Sequence, residues 1–234
     1  MITSIKIFFI VLHTFICSIF AMIFSIIDRS HTLYFKLSKY FSGGVLWLSG
    51  IKLEVTGLEN FNKSETYVFV SNHSSQYDIV TLQKVIPNRM AIIFKKELAK
   101  IPFFGWQLKM GPYVMIDREN FEKAMQSIEE AKEKMQKQNI SIVVFAEGTR
   151  SKTGEIQPFK RGAFRLATKV GYPIIPTTIV GSNKIMPKGT YKLRRGTIKV
   201  HFDKPISSVE IKTRQEEIDL MNHVREIIIS HHSN

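Results

Sequence analysis

The sequence predicts an α/β fold, with a mixed, largely parallel sheet flanked by helices and preceded by an N-terminal membrane-associated helical segment. Two patterns support this prediction. The chain opens on a long apolar run, and after Gly50 short β-rich runs alternate with segments of helical periodicity. A length of 234 residues with 44% hydrophobic and 23% charged residues fits a folded chain whose soluble part forms one domain.

The charge balance restricts the class of partner. The chain carries 33 Lys and Arg against 20 Asp and Glu, a net charge of +13. Such an excess predicts an anionic partner, which is nucleic acid, a membrane surface or a phosphorylated substrate. The single cysteine, Cys17, excludes an internal disulfide framework and a cysteine-based zinc cluster.

The first predicted element is a membrane helix over residues 7–27, which contain no charged side chain. About 20 apolar residues are enough to cross a bilayer. The alternative is a signal peptide, whose cleavage site needs small residues. The run instead ends with Ser25, Ile26 and Ile27, followed by Asp28.

The second element, residues 33–51, is an amphipathic helix in which Lys36 and Lys39 interrupt apolar residues at helical spacing. Two interpretations stay open: a helix lying in the headgroup region, or a core helix of the soluble domain. Both bring the rest of the chain against the membrane.

Basic residues around these two elements predict the orientation. Lys6 precedes the apolar run, and four basic residues follow it: Arg29, Lys36, Lys39 and Lys52. The more basic side faces the cytoplasm. We therefore predict membrane-anchoring helices over residues 1–51 and a cytoplasmic domain over residues 52–234.

The soluble part contains runs typical of buried strands and of amphipathic helices. The strands are predicted at residues 52–56, 67–71, 90–94, 142–145, 174–180 and 197–202. The helices are predicted at residues 79–85, from an Asn120 cap onward, and at 162–170 and 216–230. Glu130–Lys134 and Glu133–Lys137 are predicted as surface ion pairs.

The first candidate site is Asn72-His73-Ser74-Ser75-Gln76-Tyr77-Asp78, directly after a buried strand. Side chains five residues apart diverge on one helix, so His73 and Asp78 meet only if His73 ends the strand and Asp78 opens the next helix. A carboxylate on one imidazole nitrogen leaves the other nitrogen as a base. The alternative is a plain turn with an N-capping Asp. No G-x-S-x-G sequence frames a serine nucleophile.

The second candidate site, residues 145–151, also follows a buried strand. Gly148 allows close backbone approach to a ligand, and Arg150 offers a planar fork that matches phosphate or carboxylate. We expect Glu147 to orient that guanidinium. The alternative is an ordinary surface turn.

Basic residues in two further stretches add to an anionic site. Lys160 and Arg161 precede a short helix whose N-terminus favours an anion. Residues 95–106 combine lysines with Pro102 and an aromatic run, and residues 116–118 add Arg118. This composition indicates an acyl-chain groove or a membrane-facing edge, whereas the alternative is that the aromatic residues are ordinary core. Residues 171–177 alone predict a strand bracketed by prolines.

Taken together and in this order, these stretches resemble the glycerolipid acyltransferase family with the H-x4-D motif, in particular the 1-acyl-sn-glycerol-3-phosphate acyltransferases. The similar blocks are N-H-x4-D at residues 72–78, K-x2-L-x3-P-x2-G at Lys95, Leu98, Pro102 and Gly105, F-P-E-G-T-R-S at residues 145–151, and V-P-I-I-P at residues 172–176. Ala146 replaces the usual proline and Tyr172 the usual valine. Neither change removes a catalytic atom. The similarity covers most of residues 52–205.

The resemblance implies transfer of a fatty acyl group from a thioester, acyl-CoA or acyl carrier protein, to the sn-2 hydroxyl of 1-acyl-sn-glycerol 3-phosphate, giving phosphatidic acid. His73 is then the base, Asp78 holds its ring, and Glu147 orients the loop. The residues expected to bind substrate are Asn72, Lys95, Arg118, Gly148, Thr149, Arg150 and Arg161. Neither a cofactor nor a metal is expected, because the sequence shows no cluster of metal ligands.

The expected partners are the phospholipid bilayer, lysophosphatidic acid and the acyl donor, with no nucleic acid. The expected location is the cytoplasmic (inner) membrane, with the catalytic domain of residues 52–234 on the cytoplasmic face. Three rival functions stay open: an acyltransferase for another lysophospholipid or a lyso-aminolipid, a non-catalytic basic lipid-binding or RNA-binding protein, and a thioesterase or lipase.

Overall fold

The fold is taken from a computed structural model that describes residues 2–117, 121–208 and 211–232. The strands are β1 Ile51–Thr56, β2 Val68–Ser71, β3 Met90–Lys95, β4 Val114–Ile116, β5 Ser141–Phe145, β6 Ile174–Val180 and β7 Gly196–Phe202. The α-helices are α1 Ile2–Ile27, α2 Thr32–Ser49, α3 Tyr77–Val85, α4 Phe104–Met110, α5 Phe121–Gln138, α6 Arg161–Lys169, α7 Ser182–Ile185 and α8 Arg214–His232. A 3₁₀ helix covers Lys96–Lys100.

These strands form one sheet in the order β1-β7-β6-β2-β5-β3-β4. Neighbouring strands are parallel except for β6 and β7, which are antiparallel. The predicted fold class, a mixed and largely parallel sheet flanked by helices, is confirmed. The strands β2, β5 and β6 lie side by side at the centre, and their carboxyl ends share one edge.

The central strands are apolar on both faces because helices cover the sheet on both sides. On β2, Val68 and Val70 pack into one core cluster, and Phe69 between them packs into the other. The first cluster includes side chains of α5, α6 and α8, and the second includes side chains of α2 and α3. Successive side chains of a strand point to opposite faces, so each face of the sheet has its own core.

Helix α2 packs on the soluble domain. One side of α2 is buried, with Tyr34, Phe35, Ser38, Ser42, Val45, Leu46 and Ser49. Lys39 donates hydrogen bonds to the carbonyl oxygens of Ile86 and Pro87 just after α3. Ser49 Oγ lies 2.6 Å from the hydroxyl of Tyr77 on α3. The core interpretation of this segment therefore describes its buried side, whereas Tyr40 and Trp47 on α2 remain exposed.

Helix α1 contacts the protein along one side only. Lys6 Nζ donates to the carbonyl oxygen of Ser49 over 2.8 Å, and His13 stacks on Phe41 of α2. Most of its large apolar side chains are exposed, among them Phe8, Phe9, Val11, Leu12, Phe20, Ile23, Ile26 and Ile27. Within the described residues it is the one helix long and apolar enough to cross a membrane, judged by length and composition.

The structure contains four short elements that the sequence did not predict: the 3₁₀ helix Lys96–Lys100, α4, β4 and α7. Pro102 and Gly105 interrupt the helical periodicity of the first two, and the other two are three and four residues long, too short to show a period. The surface ion pairs Glu130–Lys134 and Glu133–Lys137 are present, at 2.8 and 2.9 Å. The predicted cap Asn120 lies outside the described residues.

Candidate active site

The site lies where β2 and β5 end. The register pairs Ser71, the last residue of β2, with Phe145, the last residue of β5. Asn72-His73 and Ala146-Glu147 therefore leave the sheet side by side. The carboxyl ends of parallel strands are where α/β proteins bind ligands.

His73 and Asp78 form the predicted pair. His73 follows β2, the chain turns, and Asp78 lies in the first turn of α3, so that His73 Nδ1 is 2.8 Å from Asp78 Oδ2. Asp78 Oδ2 also accepts the backbone N–H groups of Ser74 and Ser75, at 2.7 and 2.9 Å. Asp78 is fully buried, and these donors replace water around Oδ2, whereas Oδ1 has no hydrogen-bond partner among the described residues. The carboxylate holds Nδ1 protonated and leaves Nε2 as the basic nitrogen.

Hydrogen bonds to the protein occupy both serines in this turn. Ser74 Oγ lies 2.9 Å from Ser182 Oγ, and Ser75 Oγ donates to the carbonyl oxygen of Met186. Asn72 is likewise occupied, since its amide exchanges two hydrogen bonds of 2.8 Å with the backbone of Ile179 on β6. Asn72 therefore fixes the end of β2 to β6, which differs from its predicted place among the substrate-binding residues.

Glu147 supports His73 from the end of β5. Its Oε1 accepts the backbone N–H of His73 over 2.7 Å, and its Oε2 accepts that of Gln157 over 3.3 Å. Glu147 is 1% exposed, and this burial raises the pKa of its carboxyl group to about 7, against the opposing effect of the two hydrogen bonds. The prediction that Glu147 orients the Arg150 guanidinium does not match these contacts. Glu147 instead accepts hydrogen bonds from two backbone N–H groups.

The imidazole ring of His73 has a defined orientation because it stacks on Phe145, with ring centroids 3.9 Å apart. The backbone N–H of Ser151 donates to the carbonyl oxygen of His73 over 2.7 Å, which closes the loop after β5 onto the dyad. Gly148 turns this loop with φ of 69°, a conformation that favours glycine. A Cβ at that position would lie 3.1 Å from the side chain of Lys160.

Basic side chains line the opening beside the dyad. Arg150, Lys95 and Lys188 all border the same cavity as His73. Lys188 Nζ donates to Thr149 Oγ1 and to the carbonyl oxygen of Arg150, at 3.1 and 2.7 Å. Among the described residues, the Arg150 guanidinium has no hydrogen-bond or ion-pair partner and is available to an anion.

Lys188 was missed by the sequence analysis. It lies in the loop between α7 and β7, in the tripeptide Pro187-Lys188-Gly189, where a lone lysine in a turn has no pattern that marks it as functional. The loop follows β6 and α7, and β6 ends at the same edge of the sheet as β5, which brings the loop beside Thr149 and Arg150.

The cavity beside the dyad has a volume of about 950 Å³, at the upper end of the ~300–1,000 Å³ range of small-molecule sites. One side of it is polar, and the other is apolar and formed by the N-terminal helices and by α4. Its apolar wall includes Ile7, Ile10, Val11, Phe15, Leu37, Phe41, Phe103 and Phe104. Phe103 contacts Phe15 of α1 with ring centroids 4.8 Å apart. Of the aromatic run, Phe103 and Phe104 thus form a groove wall, and Trp106 is about half exposed.

One predicted anion-binding residue, Arg161, is not brought to this cavity. Arg161 Nη2 lies 3.4 Å from Glu217 of α8, and its side chain borders a separate basic pocket with Arg165, Lys169, Lys212 and Arg214. The prediction that Arg161 binds the same anion as Arg150 is therefore not met, because α6 turns this side chain toward α8. Arg118 lies outside the described residues.

The sequence analysis missed one group of side chains that could hold a metal ion. His201, Asp203 and His231 come together away from the dyad, with ligand atoms all within 4.8 Å of one another. They belong to β7, to the residue just after it, and to the end of α8, so the sequence separates residues that the fold unites.

Comparison with known proteins identifies the class. A family model described as Acyltransferase matches residues 52–180, more than half of the chain, and the chain therefore belongs to this family. The crystal structure of the 1-acyl-sn-glycerophosphate (LPA) acyltransferase PlsC from Thermotoga maritima is similar over 98% of this chain and 92% of that protein, with a TM-score of 0.82 and 26% identity.

Curated relatives carry the same enzyme name. The 1-acyl-sn-glycerol-3-phosphate acyltransferase of Cocos nucifera is 34% identical over 79% of this chain and 58% of its own length. That of Saccharomyces cerevisiae is 28% identical over 89% of this chain and 74% of its own length. The chain thus spans less than two thirds of the first of these relatives. The resemblance to this group of enzymes, seen in the sequence blocks, is confirmed.

Proposed function

We propose that this protein transfers a fatty acyl group from a thioester, acyl-CoA or acyl carrier protein, to the sn-2 hydroxyl of 1-acyl-sn-glycerol 3-phosphate, forming phosphatidic acid. The observation that carries the proposal is the His73–Asp78 pair, which borders one cavity with a basic mouth and a long apolar wall. An acceptor with a hydroxyl, a phosphate and an acyl chain needs all three of these features: a base for the hydroxyl, cations for the phosphate and an apolar wall for the chain. The names of the relatives support the same reaction.

The proposed chemistry begins at His73. Nε2 takes the proton of the sn-2 hydroxyl as its oxygen attacks the thioester carbonyl carbon. The new C–O bond forms, the C–S bond breaks, and the thiolate leaves with the proton that the imidazolium returns. Asp78 stabilises the imidazolium formed between these two steps, and a positioned base of this kind contributes about 10²–10⁴ in rate. No acyl-enzyme is needed, which agrees with Ser74 and Ser75 being bonded to the protein.

In this proposal Arg150 binds the acceptor phosphate, with Lys188 and Lys95 beside it. The Arg150 guanidinium offers a planar set of donors, and charge-assisted bonds to phosphate are the stronger class of hydrogen bond. Lys188 fixes the backbone carbonyl of Arg150, so it both holds the loop and adds positive charge. Glu147 has a positioning role through the backbone of His73.

The apolar wall fits the acyl chains. Side chains of α1 line the cavity on one side, and the exposed apolar side chains of the same helix are suited to a bilayer. We propose that residues 1–51 anchor the chain in the cytoplasmic membrane, with the catalytic domain of residues 52–234 on its cytoplasmic face. The basic net charge adds attraction to an anionic leaflet.

The proposal is tested by giving the purified full-length chain a labelled acyl thioester, as CoA or as acyl carrier protein, with a panel of lysolipids. We expect label in phosphatidic acid when the acceptor is 1-acyl-sn-glycerol 3-phosphate. A different labelled lipid would identify a different acceptor, and free labelled fatty acid alone would identify a thioesterase. Intact thioester with every acceptor would leave only a binding function.

A further inference from the structure

The structure unites three side chains that the proposed reaction does not use. His201 lies on β7, Asp203 follows that strand, and His231 lies in the last turn of α8. Val200 and Phe202 point into the core cluster shared with α2 and α3, so His201 between them points to the opposite face, where α8 packs. The three side chains are therefore on the face of the sheet away from α3 and Asp78.

The two distances from the carboxylate to the imidazoles fit a tetrahedral metal centre. Asp203 Oδ1 lies 3.3 Å from His231 Nε2 and 3.7 Å from His201 Nε2. In a tetrahedral zinc site with bonds of about 2.0–2.2 Å, neighbouring ligand atoms lie about 3.3–3.6 Å apart. The two imidazole rings are side by side, with centroids 3.9 Å apart, so their nitrogens approach the same carboxylate.

The surroundings prepare His201 as a ligand. Its Nδ1 lies 2.8 Å from Thr56 Oγ1 on the neighbouring strand β1. When the hydroxyl oxygen accepts from Nδ1–H, the proton is held on that nitrogen and Nε2 is free to coordinate. Metal-ligating histidines in proteins usually have such a partner on the second nitrogen.

Asp203 supplies a second indication. Its Oδ2 is buried, and within the described part of the chain it has no hydrogen-bond partner. A buried carboxylate oxygen without a donor is costly, and a cation on the neighbouring Oδ1, the oxygen that faces both imidazoles, offsets part of that cost through the shared carboxylate charge.

We propose that His201, Asp203 and His231 bind one divalent transition-metal ion, for which Zn²⁺ is the best match, because two imidazoles and one carboxylate are ligands that Zn²⁺ commonly takes. The fourth position is open to water. The ion ties the end of α8 to β7. Its role is structural, since the centre lies apart from the dyad, and the inference does not depend on the acyl-transfer reaction.

A metal ion that joins α8 to β7 also affects the loop that α8 contacts. Arg225, two turns before His231, donates to the carbonyl oxygens of Ile156 and Gln157. The N–H of Gln157 is held by Glu147, which also holds the N–H of His73. Anchoring α8 therefore steadies the loop behind the catalytic base through a continuous set of contacts.

The experiment measures zinc binding by the full-length chain, purified in detergent with any polyhistidine tag removed and treated with chelator. Zn²⁺ is then titrated against a chromophoric chelator. We expect one tightly bound ion per chain, and a rise in thermal unfolding temperature with Zn²⁺, since a ligand that binds only the folded state stabilises it. Asp203→Asn and His231→Gln should each weaken zinc binding at least tenfold and abolish the rise.

Two further variants separate the site from other histidines. His223→Gln changes an exposed histidine on the same helix and should bind zinc like the unmodified chain. Thr56→Val removes the partner of His201 Nδ1 and should weaken binding about 10- to 100-fold. If the unmodified chain binds zinc no more tightly than Asp203→Asn, or if His231→Gln keeps full affinity, the proposal is overturned. Matching circular dichroism spectra exclude unfolding as the cause of a loss.

Discussion

The two strand ends that meet at the site are built in opposite ways. At the end of β2, His73 is held by Asp78, by Glu147 through its backbone and by the ring of Phe145. At the end of β5, the Arg150 guanidinium is free of ion pairs within the described residues, and only its backbone is held, by Lys188.

The difference corresponds to two kinds of task. A base must be in place before the substrate arrives, because an error in position of about 1 Å costs much of the rate. A cation that binds a phosphate in water needs access and reach. The rigid dyad therefore fits the chemical step, and the open arginine fits recognition of the acceptor.

The largest effect is expected from His73→Ala. Loss of the base should lower kcat by about 10²–10⁴, whereas lysophosphatidate binding should change little because Arg150 is untouched. Acyl transfer and equilibrium binding are measured on the same preparation, with His223→Ala as the matched control on an exposed histidine. Turnover equal to the unmodified chain would remove His73 from the mechanism.

Asp78→Asn should act through the same ring but less strongly, lowering kcat by about 10². The amide is close in size to the carboxylate but lacks the charge that stabilises the imidazolium, and the tautomer of His73 is no longer fixed. Asp219→Asn, on the exposed side of α8, serves as control. A kcat within twofold of the unmodified value would contradict the pairing.

Arg150→Ala tests whether the unpaired guanidinium at the end of β5 binds the acceptor phosphate. Hydrogen bonds to charged groups contribute about 1.5–3 kcal/mol, so the KM for the phosphorylated acceptor should rise about 10- to 100-fold with a smaller change in kcat. The KM for the acyl donor should stay the same. Lys152→Ala, an exposed neighbour in the same loop, should change neither constant. If the acceptor KM does not move, the phosphate binds elsewhere.

Glu147→Gln should alter the pH dependence of stability. The folded-state pKa of Glu147 is raised to about 7 by burial. A raised carboxyl pKa stabilises the fold fully below the unfolded-state value near 4.5, and this contribution is lost as pH rises through about 7. The loss amounts to at most about 3.5 kcal/mol, since one pKa unit corresponds to about 1.4 kcal/mol.

The measurement is the free energy of unfolding between pH 5 and pH 8. The stability of Glu147→Gln should fall less over this range than that of the unmodified chain or of Glu155→Gln, which replaces an exposed glutamate in the next turn. Identical pH profiles for all three proteins would show that Glu147 does not titrate in this range.

Sequence reasoning predicted the parts of the site that follow from local geometry. The His73–Asp78 contact was predictable because a strand end, a turn and a helix start lie within seven residues. The buried strands β2, β5 and β6 were predictable because apolar runs of this length have few alternatives. The same reasoning predicted Arg150 near His73, since it follows the end of a buried central strand, and both residues border one cavity.

The features that were missed depend on tertiary packing. Lys188 reaches the site because β6 ends at the same edge of the sheet as β2 and β5, a strand order that the sequence does not show. Arg161 was assigned to the site because it is close to Arg150 in sequence, yet the rotation of α6 points it at Glu217. The wall that α1 contributes to the cavity was likewise invisible, because an apolar run looks the same whether it faces lipid or a substrate groove.

The contacts of α2 have a practical consequence for handling the protein. Lys39 donates hydrogen bonds to the carbonyl oxygens just after α3, and Ser49 forms a hydrogen bond with Tyr77 at the start of α3. Both ends of the helix that carries Asp78 are therefore held by the segment before residue 52. Deleting that segment to obtain a water-soluble fragment would remove Val45 and Leu46, expose the core side chains packed against them to water, and take away the hydrogen bonds that hold α3. Detergent or nanodiscs around the intact polypeptide are the better route to active material.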